Sequence, residues 1–340
     1  TLSSSSAASD VYKRQGYIGS AFCKEGLERG FNIIGIDNFS NSSDQSINFL
    51  MESKQHNFTF SEVDLCKDLE SLREIFVNNE INYVVHFAGF KSVIESQMHP
   101  KMYWDNNLES TKNLTRIMLE YGVKNILFSS SASVYGKSNK QPVSEACKLK
   151  PMSVYGATKE ANEKFLEDLS TKGNLKTISL RYFNPVGNIQ MMPVNSPRQD
   201  SKNLMDNIID VCIGETKELN IFGDDYKTSD GTAERDFIHI QDLIDAHFES
   251  LKYFEQLNGY EVFNIGTGNS VSVKNIIKTF KEVNSIEFVV KISDRREGDV
   301  PICYADNSKA KNILKWEAKK DLREMCLDAW RPYKLSLIHI

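Results

Sequence analysis

The chain has 340 residues, of which 40% are hydrophobic and 26% charged, ordinary globular material long enough for one large domain or two smaller ones. Its 46 acidic and 41 basic residues leave a net charge of −5, which excludes a general attraction to nucleic acid or anionic membranes; any phosphate binding must come from local Arg and Lys. No uninterrupted apolar run approaches the roughly 20 residues that span a bilayer, and the six cysteines, at 23, 66, 147, 212, 303 and 326, include no C-x-x-C pair. Free thiols in a reducing cytoplasm are expected, with neither disulfides nor a metal centre.

From Gly16 onward strands alternate with helices, the pattern of an α/β parallel sheet covered on both faces. Gly16-Tyr-Ile-Gly-Ser20 is a glycine turn of the kind that brings backbone N–H groups to a pyrophosphate at a helix N-terminus. Phe31-Asn-Ile-Ile-Gly-Ile36 reads as the following strand and ends at Asp37, about 20 residues after the turn, where a carboxylate accepts hydrogen bonds from an adenosine ribose. That carboxylate would repel a 2′-phosphate, so NAD is expected rather than NADP; a plain turn aspartate is the other reading. Tyr83-Val-Val-His-Phe-Ala88 is the next clear strand, with Gly89 at its carboxyl end, where open α/β sheets bind ligands. His86 inside it reads as a satisfied core histidine, since no second ligand is spaced for a metal. Asn125-Ile-Leu-Phe-Ser-Ser130 delivers Ser131 to the same edge.

Tyr155-Gly-Ala-Thr-Lys159 sets a phenol and an ammonium on one helix face. By itself that spacing is more often a solvated pair. With Ser131 nearby it forms an acid-base device: a cation lowers a phenol's pKa from about 10, and the tuned phenol can exchange a proton with a sugar hydroxyl. Ser131 can share that proton or hold the substrate oxygen. From about Asn184 the chain grows richer in Pro, Asn, Asp and Gly, with loops from 187 to 203 and from 223 to 232, as a smaller second domain would.

Taken in order, Gly16-Tyr-Ile-Gly-Ser20, Asp37-Asn38, His86-Phe-Ala-Gly89 with Lys91, Ser129-Ser-Ser-Ala-Ser-Val-Tyr-Gly136, Tyr155-x-x-x-Lys159, Arg181-Tyr-Phe-Asn-Pro-Val-Gly187, Asp230-Gly-Thr-x-x-Arg-Asp-Phe-Ile-His239 and Arg295-Arg-Glu-Gly-Asp299 resemble the extended short-chain dehydrogenase/reductase family. Within that family they are most similar to the NAD-dependent epimerases of UDP-glucose, from about Gly16 to about Trp330. The resemblance implies a Rossmann-type doubly wound sheet at 16–183 and a mainly UDP-sugar-binding α/β domain at 184–334, interleaved with late Rossmann elements. It implies transient oxidation of the sugar at C4, with Ser131, Tyr155 and Lys159 catalytic. NAD would meet Gly16, Tyr17, Ile18 and Gly19, then Asp37, Asn38, Asn41 and Ser42. Asp64 and Leu65 would flank adenine. Phe87, Ala88, Gly89, Lys91, Asn106 and Phe183 would complete the cofactor contacts, with Ser131, Tyr155 and Lys159 at the nicotinamide.

On the substrate side the resemblance implies Lys91, Ser131, Tyr155 and Asn184 around the sugar. Asn203 and Leu204 would lie by the uridine, and Arg235, Arg296 and Asp299 around the diphosphate and ribose, where arginine's planar fork suits phosphate. Cys303 matches a position that borders the sugar pocket; a small residue there leaves room for an N-acetyl group, so N-acetylated UDP-sugars are expected as further substrates, unless the cysteine merely fills core. A homodimer is implied as well. A dehydratase of the family would carry Thr-Asp-Glu where this chain has Ser131-Ala132-Ser133. A uronate epimerase and a catalytically idle NAD sensor remain the rival readings, the last because fold alone never proves chemistry.

Both ends stand apart. Asp10-Val-Tyr-Lys-Arg-Gln15 can be encoded as GAT GTG TAT AAG AGA CAG, whose reverse complement encodes Leu335-Ser-Leu-Ile-His-Ile340. Residues 1–15 and 335–340 are therefore expected to be translated sequence of a library adapter and not native; a genuine flexible Ser-rich leader with a chance hexapeptide is the other reading. In the family's G-x-x-G-x-x-G register the first glycine falls on Lys13, and the apolar strand that should precede it is expected to be missing or replaced by Asp10–Lys13. A lysine is strained wherever positive φ is needed, so looser NAD binding is expected.

Overall fold

The computed structural model describes residues 2–5, 17–40, 44–52, 57–138, 140–189, 203–296 and 298–338. Its first six strands are β1 (Leu2–Ser5), β2 (Ile33–Asp37), β3 (Phe58–Glu62), β4 (Tyr83–His86), β5 (Asn125–Ser131) and β6 (Lys176–Tyr182). Then come β7 (Asn184–Val186), β8 (Leu219–Phe222), β9 (Glu234–Arg235), β10 (Phe237–His239) and β11 (Tyr260–Ile265), followed by β12 (Val271–Ser272), β13 (Val290–Ser293) and β14 (Ile302–Cys303). Seven of these form one parallel sheet in the order β11-β6-β5-β4-β1-β2-β3. The order reverses between β1 and β4, so the loops leaving these strands diverge and open a crevice at their carboxyl ends, the Rossmann-type ligand site.

Parallel strands covered by helices on both faces must be apolar throughout. All five residues of β2 are buried, as are six of the seven in β6. One face of the sheet packs Phe22, Val85, Leu127, Leu180 and Phe248, and the other packs Ile34, Val84, Leu114, Ile126 and Phe128. The helices include α1 (Tyr17–Glu28), α2 (Gln45–Glu52), α3 (Leu69–Asn78), α4 (Val93–Met98), α5 (Pro100–Glu120) and α6 (Val154–Thr171). After these come α7 (Leu204–Cys212), α8 (Ile240–Tyr253), α9 (Val273–Asn284), α10 (Ser308–Ile313) and α11 (Leu322–Ile338). Helices α7, α9 and α11 enclose a separate core with Met205, Leu219, Phe237, Phe280 and Trp330, around which the small sheets β7-β10, β9-β12-β14 and β8-β13 assemble.

The central slot of the sheet is taken by Leu2–Ser5, which pairs with β2 on one side and β4 on the other; Asp10–Lys13 lie outside the described residues. Parallel ladder bonds come from the backbone, so a serine-rich segment can occupy the slot. Helix α11 runs to Ile338. Among the described residues no helix is long and apolar enough to cross a membrane.

Candidate active site

Strand β5 ends at Ser131, whose side chain caps a short 3₁₀ turn (Ala132–Val134): Ser133 N donates to Ser131 Oγ at 3.2 Å, and Ser131 Oγ donates to Ser133 Oγ at 3.1 Å. Helix α6 starts on top of that turn. Ser153 caps it by accepting from Gly156 N at 3.0 Å, and a Cβ on Gly156 would lie 2.7 Å from Ser133 O, so glycine is what permits the approach. Tyr155 and Lys159 follow on the buried face of α6. Lys159 Nζ donates to Ser129 O at 2.7 Å and stands 4.9 Å from the Phe128 ring centroid, which anchors the ammonium against β5 two residues before Ser131. The three residues read from the sequence thus meet at one sheet edge, held by a cap, a glycine contact and a lysine–carbonyl bond.

The remaining candidates for a dinucleotide lie along the same edge. Tyr17 opens α1 and its hydroxyl donates to Gly187 O at 2.5 Å, tying the helix start to the segment after β7; Ile18 and Gly19 follow it. Asp37 is buried at the end of β2 and accepts from Phe39 N at 2.9 Å, while Asn38 accepts from Ser40 N at 3.1 Å. Gly16, Asn41 and Ser42 lie outside the described residues. Asp64 accepts from Cys66 N at 2.8 Å, and Leu65 is buried with its carbonyl accepting from Asn113 Nδ2 at 3.0 Å. Phe87 packs its ring into the core against Phe22 and His247, at 5.6 and 5.2 Å between centroids, which leaves its backbone for any ligand; Ala88 is buried and Lys91 half-buried.

Gly89 has φ +142°, and a Cβ there would lie 3.2 Å from Asn107 Oδ1. Asn107 was not singled out in the sequence, yet it is the buried brace of this edge. It accepts from Phe90 N at 2.6 Å, donates to Phe90 O at 2.9 Å and to Thr158 Oγ1 at 3.0 Å, and so joins the loop after β4 to α6; Asn106 donates to it at 3.2 Å. Its one signal in the sequence is the Asn106-Asn107 pair.

On the second domain the structure brings Arg235, Arg296 and Asp299 together. Arg235 Nη2 lies 3.4 Å from Asp299 Oδ1, Asp299 N donates to Arg296 O at 3.3 Å, and the Arg296 guanidinium stacks 3.7 Å over the Phe222 ring. Cys303 is the register partner of Arg235 where β14 pairs β9, and it packs on a cluster of Val134, Tyr135, Phe183 and Ala305. That cluster sets the arginine-bearing sheet beside the turn after Ser131. Burial pushes the Cys303 thiol up, so it is a neutral wall rather than a nucleophile. Asn184 is exposed at the start of β7, its N–H donating to Asp236 O at 2.9 Å. Asn203 has its side chain in the cap of α7, where Oδ1 accepts from Asp206 N at 3.0 Å, and Leu204 packs against the second core.

His86 is a core histidine. Its Nε2 lies 2.9 Å from Thr111 Oγ1, and since Thr111 donates to Asn107 O at 3.1 Å, Nε2–H is the donor. His247 donates through Nδ1 to Leu243 O at 2.7 Å and accepts from the buried Tyr182 hydroxyl at 2.6 Å. Burial, aided by the Lys159 charge, holds His86 down to about 3, and burial holds His247 down to about 4. Both stay neutral in the fold while the unfolded chain takes up protons near pH 6.5. Stability is therefore full above that pH and falls as pH drops toward 4, by up to about 1.4 kcal/mol per pH unit for each histidine. Denaturant midpoints at pH 7 and pH 5 test this, and His86→Asn is expected to flatten the slope; equal midpoints would contradict it.

A Rossmann-type sheet with Ser131, Tyr155 and Lys159 at its carboxyl edge, and Arg235 joined to that edge through Cys303, is the arrangement of a dinucleotide-dependent class of enzyme. Residues 14–266 match the NAD dependent epimerase/dehydratase family. The chain is 43% identical over 318 residues to the UDP-glucose 4-epimerase of Bacillus subtilis, covering 93% of this chain and 94% of that one. It superposes with a TM-score of 0.90 on the crystal structure of the UDP-glucose-4-epimerase of Stenotrophomonas maltophila with bound NAD and formylated UDP-arabinopyranose, at 34% identity over 100% of this chain and 99% of that one. The UDP-Glc/GlcNAc 4-epimerase of Campylobacter jejuni gives a TM-score of 0.83 at 34% identity, over 98% and 99% of the two chains. The chain belongs to the NAD dependent epimerase/dehydratase family.

Proposed function

We propose that this chain interconverts UDP-glucose and UDP-galactose by transient oxidation at C4 of the sugar, with NAD as resident cofactor. The observation that carries the reading is the seating of Tyr155 and Lys159 in the first turns of α6 against Ser131 at the end of β5, with Arg235 and Cys303 joined to the same edge through Phe183. The edge fits NAD: bare backbone at Gly89, a buried carboxylate at Asp37 and the start of α1 at the strand-order reversal. Residues 16–183 serve the cofactor and 184–334 mainly the UDP-sugar.

When bound, NAD accepts a hydride from C4 and returns it. Tyr155 takes the C4 hydroxyl proton and gives it back, and the Lys159 cation favours the phenolate that this needs. Ser131 holds the C4 oxygen in line. Tyr17, Ile18 and Gly19 with Gly16 would hold the pyrophosphate, while Asp37 and Asn38 take the adenosine ribose and Asp64 and Leu65 the adenine. Lys91, Asn106 and Phe183 close the nicotinamide side. Arg235, Arg296 and Asp299 would hold the UDP diphosphate and ribose, leaving the sugar free to turn and present its other face. Asn184 would lie by the sugar, and Asn203 and Leu204 by the uridine.

Cys303 in a wall position leaves space at the sugar, which supports N-acetylated UDP-sugars as further substrates. The packed pair α5 and α6, with Met102 and Trp104 exposed on α5, supports a homodimer, and six free thiols support a cytoplasmic location.

The test is conversion of UDP-galactose and of UDP-N-acetylgalactosamine, each with and without added NAD. Both are expected to epimerise without net NADH. Conversion of UDP-galactose alone would remove the N-acetyl reading, and conversion of neither under any condition would sink the proposal.

A further inference from the structure

A second polar group lies directly behind Ser131 and Lys159, and the mechanism above makes no use of it. Arg181 on β6 and Glu163 on α6 form a two-pronged pair, Nη2 to Oε2 at 2.6 Å and Nε to Oε1 at 3.0 Å, with both side chains about 95% buried. Burial alone would lower the arginine's pKa, but the carboxylate more than offsets it, so the guanidinium stays charged. The pair does not end in itself. Ser130 Oγ donates to Glu163 Oε1, and Arg181 Nη1 donates to the Tyr135 hydroxyl at 2.9 Å, which in turn donates to Asn264 Oδ1 at 2.6 Å on β11.

These contacts bracket the reacting groups. Ser130 immediately precedes Ser131, and Tyr135 closes the 3₁₀ turn that Ser131 caps. Glu163 stands one helical turn beyond Lys159 and two beyond Tyr155, all three on the buried face of α6. The Ser130–Glu163 bond therefore fixes how far α6 slides and rotates against β5, and the Arg181–Tyr135 bond fixes the turn on the other side of Ser131. A hydrophobic interface alone would tolerate small slides, since apolar contact is non-directional. A bidentate ion pair does not.

We propose that Arg181 and Glu163 are positioning residues for the reaction, setting the spacing between Ser131 on β5 and Tyr155 with Lys159 on α6 through Ser130 and Tyr135. The inference rests on the function proposed above. Its consequence is kinetic: loosening the pair lowers turnover while substrate affinity, which belongs to the arginine cluster of the second domain, is preserved.

Three variants test this in the full-length protein. Ser130→Ala keeps the ion pair and cuts only its link to β5. Glu163→Leu/Arg181→Met removes the whole network without leaving a lone buried charge, and Glu163→Gln/Arg181→Met restores an acceptor for Ser130. For UDP-galactose, kcat is expected to fall about fivefold in Ser130→Ala and on the order of 10²-fold in the apolar double variant, with KM within about twofold of the parent. The glutamine double variant is expected to recover about tenfold of that loss. Unchanged kcat in the first two variants, or no recovery with glutamine, would overturn the proposal, as would KM rising in step with falling kcat. If the parent leaves UDP-galactose untouched, the proposed function fails, and crystal structures of the parent and the apolar double variant decide the inference separately. The first turn of α6 is expected to move against the end of β5 by on the order of 1 Å; superposable positions would refute it.

Discussion

Tyr155→Phe is expected to lower turnover of UDP-galactose by about 10²–10⁴-fold while leaving the fold intact, the range that general acid-base catalysis contributes. The substitution removes one oxygen and keeps the ring, which is buried in the first turn of α6. That turn is held independently of the hydroxyl by the Ser153 cap and by the contact of Gly156 with Ser133 O. Thermal midpoint and NAD content should therefore match the parent's, and KM should change far less than kcat, because the lost interaction belongs to the transition state. A rate within a few-fold of the parent's would move the proton chemistry to another group.

Arg181→Met alone should destabilise the protein by about 3–5 kcal/mol, since it leaves the Glu163 carboxylate buried without its partner. Ser130 would remain as a donor to that carboxylate, but a hydroxyl does not neutralise it. Adding Glu163→Leu should restore most of the loss, because replacing both charges by apolar groups of similar volume is often neutral or stabilising. Denaturant midpoints for the parent, Arg181→Met and the double variant give the comparison. If the double variant is as unstable as the single one, the loss is one of packing, and charge burial is not its cause.

Tyr155 and Lys159 were legible in the sequence because helix spacing is local: residues four apart share a face wherever the helix lies. Asp37 was legible because it ends an apolar run, and Ser131 for the same reason at β5. Sequence reading carried β4 two residues too far, to Ala88, where the structure ends it at His86; strand ends depend on neighbouring strands, which local pattern does not contain. Asn107, Glu163 and Arg181 drew no notice as functional groups. Asn107 acts on Phe90 and Thr158, 17 and 51 residues away, and Glu163 meets Arg181 at a separation of 18. Nothing in the residues flanking either partner marks the contact.

The sequence by itself determined the parallel sheet and the placement of Tyr155 and Lys159 on one helix face, since each follows from periodicity or short spacing along one element. Tertiary structure alone decided that Leu2–Ser5 takes the central strand, and that a buried ion pair between α6 and β6 ties α6 to β5 through Ser130. Those outcomes depend on which elements become neighbours, a choice made by burial of whole faces.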